Sequence, residues 1–203
     1  MRLVLVRHGL SMANMAGLVT GTPEDPLSPE GVTQARRTGE LFERLSLRGD
    51  HYLTSHFRRA QQTASLVLPE ASFEVDSRLG ETNAGAVAEL TLSRFLEEWP
   101  DFYQDNSNTY PGGESHMDLN RRVLDWLAEA RAKHTGQVVV VTHAGPIACL
   151  LQDALGIRMD MFPALKAHNA SVSVIDYPNR TDHGRVVSFS LLPDATAGDL
   201  IGG

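Results

Sequence analysis

Two runs in this 203-residue chain hold nothing but branched aliphatic residues: Leu3-Val4-Leu5-Val6 near the start and Val138-Val139-Val140-Val141 past the middle. A strand wetted on one face alternates apolar with polar side chains, so an unbroken run marks a strand covered on both faces, as in the middle of a parallel sheet. Helices must then cover those faces. Ser28-Pro29-Glu30 offers an N-cap with proline at the first helical position, and Val32, Ala35, Gly39, Phe42 and Leu45 follow at helical spacing, predicting a helix from Pro29 to Leu45. His51 to Thr54 reads as a short strand, Phe57 to Leu68 as a helix, and Phe73 to Asp76 as a half-buried alternating strand. Leu92 to Trp99 is a short helix stopped by Pro100.

Ser115-His116-Met117-Asp118 has the form of a capping box, and Leu119, Val123, Trp126, Leu127 and Ala130 continue it as an amphipathic helix that Gly136 ends. Pro146 to Leu155 predicts another helix, and Ser171 to Tyr177 and Arg185 to Leu191 two further strands, the last at an edge. Strands alternating with helices predict an α/β fold: a three-layer α/β/α sandwich around a mostly parallel central sheet with an antiparallel edge strand. The length suits one core and is short for two, so residues 1–194 are expected to form a single domain, and the small, polar residues 195–203 a flexible tail.

The formal net charge is −7, with acidic and basic residues mixed along the chain, which argues against nucleic acid or an anionic membrane surface as a partner. The aliphatic run after Met1 is too short for a secretory signal core and is closed by Arg7, and no apolar stretch is long enough to span a bilayer. A cytoplasmic protein is expected. The single cysteine, Cys149, lies in an apolar run and reads as a small buried hydrophobe. Six of the eight histidines, His51, His56, His116, His134, His168 and His183, sit at no shared spacing that would build a metal site.

Both aliphatic strands end in a histidine followed closely by glycine, Arg7-His8-Gly9 and Thr142-His143-Ala144-Gly145. In an open α/β sheet, ligands bind beyond the carboxyl ends of the strands. Two imidazoles and the guanidinium of Arg7 are therefore expected on one rim.

Arg7-His8-Gly9 with Ser11 and Asn14 resembles the opening motif of the histidine phosphatase, or phosphoglycerate mutase-like, superfamily. The resemblance continues in order through Leu27-Ser28-Pro29-Glu30-Gly31-Val32-Thr33-Gln34-Ala35, Ser55-His56-Phe57-Arg58-Arg59-Ala60-Gln61-Gln62-Thr63-Ala64, Leu79-Gly80-Glu81 with Gly85, Pro111-Gly112-Gly113-Glu114-Ser115, Val141-Thr142-His143-Ala144-Gly145 and Asn169-Ala170-Ser171. It spans residues from about 3 to 176.

The resemblance implies a phosphomonoesterase that needs no metal or other cofactor. His8, Glu81 and His143 would be catalytic, and Arg7, Arg59, Asn14, Ser11, Gly9 and Ala144 would surround the phosphate. By the same resemblance His8 attacks phosphorus in line to give a phosphohistidine that water hydrolyses. The residue types suit the task. A transferring phosphoryl group carries charge on its equatorial oxygens, and a planar guanidinium matches two of them at once. Neighbouring cations disfavour a charged imidazole, which keeps a histidine nucleophilic. An alkyl leaving group needs a proton, and a carboxylic acid beside a phosphate dianion is pushed towards its protonated form. His56 stands near the expected pocket edge, Arg58 reads as surface charge, and the remaining histidines are expected to be mostly exposed.

Three departures from the family pattern bear on the substrate. Thr82-Asn83-Ala84-Gly85-Ala86-Val87-Ala88 is small where many members carry aromatics, implying a roomier pocket. Ala148 follows Ile147 where an arginine is common. The basic, proline-rich insertion of cofactor-dependent mutases is absent. A small phosphorylated metabolite is thus expected to be hydrolysed rather than isomerised. A mutase, a phosphoprotein phosphatase and a silent phospho-ligand-binding module are the alternatives. Trp99, Phe102, Tyr103 and Tyr110 either wall the entrance or pack the helix from Leu92 onto the sheet. Met159, Met161 and Phe162 belong either to core or to a homodimer interface.

Overall fold

A computed structural model describes residues 1–178 and 183–193, so the tail expected at 195–203 lies outside the described residues. The six-stranded sheet has the order β3-β2-β4-β1-β5-β6. The two aliphatic runs form its centre as β1 (Arg2–Arg7) and β4 (Gln137–Thr142), paired in parallel with Arg7 opposite Thr142. β2 (His51–Thr54) runs parallel to β4, and β5 (Val172–Asp176) is antiparallel to both β1 and the edge strand β6 (Arg185–Leu191).

The alternation of side chains across the pleat divides the core in two. Leu3, Leu5, Val138 and Val140 face α5 (His116–Lys133) and α6 (Ala144–Leu155). Val4, Val6, Val139 and Val141 face α2 (Pro29–Arg44) and α3 (Arg58–Val67). The sandwich thus has helices on both faces. Ser28 caps α2 by accepting from the Gly31 N–H, and Ser115 and Asp118 form the reciprocal cap of α5. Cys149 is buried, and burial raises its thiol pKa.

The structure corrects three expectations. Only Glu74–Val75 of the alternating Phe73–Asp76 segment pair as a strand, β3, and both are exposed; the Asp76 carboxylate instead accepts from the Arg78 N–H and starts a 3₁₀ turn. α6 begins at Ala144 with His143 as its N-cap, two residues before Pro146. Proline is tolerated throughout a first turn because those N–H groups have no helical partner. The aromatics after α4 (Leu92–Glu98) pack neither helix to sheet nor purely as a wall. Phe95, Phe102 and Tyr110 join Ala84 and Val87 in a separate small core, a lobe over the strand ends. Met161 is exposed, while Phe162 packs against the α5/α6 side of the main core.

No helix among the described residues is long and apolar enough to cross a membrane. None of them forms a cluster of three or more His, Cys, Asp or Glu side chains placed to hold a metal.

Candidate active site

Because β1 and β4 are adjacent, parallel and end in register, the residues that follow them share a rim. The His8 and His143 rings lie 4.9 Å apart, edge to face. A cavity of about 610 Å³ opens beside His8, lined on this side by Arg7, Asn14, Arg59, Glu81 and Ala144.

Hydrogen bonding defines the His8 ring. Nδ1 lies 2.7 Å from the carbonyl oxygen of Gly9, which can only accept, so Nδ1 carries the proton and Nε2 the lone pair. The Arg59 Nε–H donates to that Nε2 at 3.2 Å. Burial, then the charges of Arg59 and Arg7, hold the His8 pKa well below 6.5, against a smaller upward pull from the Gly9 carbonyl. The main-chain carbonyl of His8 accepts from the Asn169 side chain and the Ala170 N–H. Ala170 sits at φ +57, a left-handed conformation imposed by this latch.

His143 is fully buried, and burial first, then Arg59, lowers its pKa well below 6.5. Its Nε2 is 2.8 Å from Ser55 Oγ, which accepts from the Phe57 N–H. The Ser55 hydroxyl proton is then free to point at Nε2, which puts the imidazole proton on Nδ1. Nδ1 is buried with no hydrogen-bond partner.

The two arginines differ. Arg59, 1% exposed, donates to His8, to the carbonyls of Thr20 and Thr22, and to Asp25, which occupies four of its five N–H groups. The fork expected on Arg59 is therefore largely spent inside the protein, because a buried guanidinium has to satisfy its donors. Arg7 uses Nη1 on the Ala167 carbonyl, while among the described residues its buried Nε and its Nη2 have no partner. The open edge for a pair of oxygens belongs to Arg7.

Glu81 caps α6. Its carboxylate accepts from the Gly145 N–H at 3.2 Å and from the Thr82 N–H at 3.0 Å. A β-carbon on residue 145 would stand 2.3 Å from Glu81 Oε1, so glycine is what lets the carboxylate reach the helix end. The Glu81 loop is held from behind by Arg122 of α5. Arg122 donates to the carbonyls of Arg78, Gly80 and Glu81 and, through two nitrogens, to Glu114, which also accepts from the Asn83 N–H.

Ser11 and Gly9 stand away from the cavity wall. The Ser11 hydroxyl is fully buried as the cap of α1 (Met12–Met15), accepting from the Asn14 N–H. The Gly9 N–H is taken by Thr63, and its Cα packs on the Gly31 backbone. Both position the loop that presents Asn14, whose Oδ1 accepts from Asn169 and whose Nδ2 has no partner among the described residues. His56 is exposed and lines a second hollow behind Glu81, and Arg58 is exposed at the surface. His116 and His134, expected outside, are buried, and His116 lines the main cavity. Asn169, Arg122 and His116 were the residues missed as site groups. Asn169 had a signal, its place in an ordered motif; the other two look like ordinary members of an amphipathic helix.

The sequence pattern of the histidine phosphatase superfamily, branch 1, matches residues 3–189. The chain belongs to this superfamily. A Salmonella choleraesuis protein named "Probable phosphoglycerate mutase GpmB" is 29% identical over 185 residues, 87% of this chain and 85% of that one. Among solved structures, a mycobacterial glucosyl-3-phosphoglycerate phosphatase in complex with VO3 superposes with a TM-score of 0.83 at 28% identity, covering 94% of this chain and 98% of that one. The alpha-ribazole phosphatase of Shigella flexneri does so with 0.83 at 26% identity, covering 95% and 98%. These likenesses support an enzyme of phosphatase or mutase type. The pair of buried imidazoles and the open edge of Arg7 lie together beyond the carboxyl ends of β1 and β4, the rim at which open α/β sheets generally bind ligands.

Proposed function

We propose that this histidine phosphatase hydrolyses the phosphomonoester of a small metabolite through a phosphohistidine on His8. The observation that carries the reading is the state of the His8 ring, with its Nδ1 proton given to Gly9 and its Nε2 lone pair accepting from Arg59 in a residue that lines the cavity. In the first step Nε2 attacks phosphorus, the ester P–O bond breaks, and Glu81 gives its proton to the departing alkoxide. In the second, the water oxygen attacks phosphorus as Glu81 takes the water proton, the P–N bond breaks with its electron pair returning to Nε2, and inorganic phosphate leaves. Arg7, the remaining Arg59 N–H, His143 Nδ1, the Ala144 N–H at the start of α6 and Asn14 Nδ2 are the donors for the equatorial oxygens. Arg59 releases Nε2 as these oxygens replace it as partner.

Isomerisation of a phosphoglycerate is the second reading, favoured by the Salmonella relative's name. It asks for cations to hold a second anionic group, and among the described residues that line the cavity Arg7 and Arg59 are joined only by the exposed Lys166. Incubation with 3-phosphoglycerate and with a panel of phosphorylated metabolites separates the two. Release of free phosphate that disappears in His8→Ala is expected. Isomerisation faster than release would overturn hydrolysis as the main activity.

A further inference from the structure

Beyond the phosphoryl end, the same cavity is walled by the lobe over the strand ends and by the segment before Asn169. Leu92, Tyr103, Tyr110, His116, Phe162 and Leu165 line it there. Three of these form a continuous aromatic row. The Tyr103 and His116 rings lie nearly parallel, 14° apart with centroids at 5.9 Å, and the Phe162 ring lies 5.0 Å from His116, tilted by 45°. Polar contacts tie these rings to their surroundings. Tyr103 Oη is 3.0 Å from Tyr110 Oη, and Asn106 contacts both His116 Nδ1 at 3.2 Å and the Met159 carbonyl. Tyr103 nonetheless keeps 43% of its surface exposed, and it lines the cavity.

We propose that this wall is a leaving-group subsite, and that the preferred substrate is the phosphomonoester of an alcohol carrying a flat aromatic ring. The inference rests on the hydrolase reading above and adds the identity class of the alcohol. A cavity of about 610 Å³ has room for far more than a phosphoryl group. Its outer lining offers rings and aliphatics. Burial lowers the His116 pKa below 6.5, so that ring too is uncharged near neutral pH. A compact acid such as phosphoglycerate would leave these apolar faces wet, whereas a ring that covers them removes them from water and gains offset or edge-to-face contacts.

The test compares benzyl phosphate with glycerol 3-phosphate and 3-phosphoglycerate, since all three leave as alkyl alcohols and their acidity does not bias the comparison. Benzyl phosphate is expected to show kcat/KM higher by about tenfold or more, mostly through KM, the worth of one well-covered ring. Tyr103→Ala and Phe162→Ala should each erase most of that preference, while inhibition by inorganic phosphate, which reports the clamp at His8, stays as in the wild type. Glycerol 3-phosphate or 3-phosphoglycerate used as well as benzyl phosphate, or a preference that survives both substitutions, would overturn the subsite. If p-nitrophenyl phosphate is still hydrolysed in a His8-dependent way, that result leaves the hydrolase reading standing. No release from any ester, p-nitrophenyl phosphate included, would overturn both.

Discussion

At the scale of single residues, burial decides what the two histidines do. His8 and His143 have pKa values held well below 6.5 by desolvation and by the nearby arginines. In the unfolded chain each takes a proton near 6.5, so below that pH the unfolded state binds more protons and stability falls as pH falls. The slope is up to about 1.4 kcal/mol per pH unit for each histidine. Urea midpoints should therefore hold steady above about pH 7 and drop progressively below about 6.5. His143→Gln should shallow that drop, and a pH-independent midpoint would contradict the burial of neutral imidazoles. The same shift predicts that the acid limb of kcat/KM due to His8 lies well below 6.5. The histidines were legible because each closes an aliphatic run. That Arg7 rather than Arg59 keeps an open edge was not, because it depends on the carbonyls of Thr20 and Thr22, which no motif records.

At the scale of elements, the arrangement around Glu81 is a joint product of α5, α6 and the loop between them in space. Arg122 ties the carbonyls of Arg78, Gly80 and Glu81, together with Glu114, to α5, and Gly145 clears the approach to α6. Arg122→Met should loosen the Glu81 carboxylate and lower kcat for alkyl phosphates by about tenfold or more, within the range general acid catalysis supplies. p-Nitrophenyl phosphate, whose leaving group needs no proton, should suffer much less. An equal loss for both esters would show that Arg122 serves only the fold. Gly145→Ala should carry the same signature, since its β-carbon displaces Oε1. The elements themselves were largely readable from capping boxes and helical spacing. The start of α6 was misread because a proline suits any first-turn position, and β3 because alternation in Phe73–Asp76 does not reveal that Asp76 is captured by Arg78.

At the scale of the whole molecule, two apolar layers sandwich one sheet, and each relies on a few large side chains. Trp126 is 2% exposed in the α5/α6 layer, and Trp126→Ala should cost about 3–5 kcal/mol in chemical denaturation. A loss under about 1 kcal/mol would contradict a tightly packed layer. The sandwich followed from the aliphatic runs alone, because strands of that composition demand cover on both faces. The lobe of residues 84–110 did not, since its short 3₁₀ turns and aromatic cluster carry no period of 2 or 3.6 that sequence reading can follow. The proposed leaving-group subsite accordingly draws two of its rings, Tyr103 and Tyr110, from the part of the chain with the weakest pattern.

The central claim is that His8 becomes covalently phosphorylated during turnover. Rapid quenching of the protein with p-nitrophenyl phosphate, followed by peptide mass analysis, tests it directly. A phosphoryl group on the peptide containing His8, labile to acid and stable to base and absent from His8→Ala, is the predicted result. Sustained phosphate release with no such adduct, or an adduct of equal amount in His8→Ala, would contradict it.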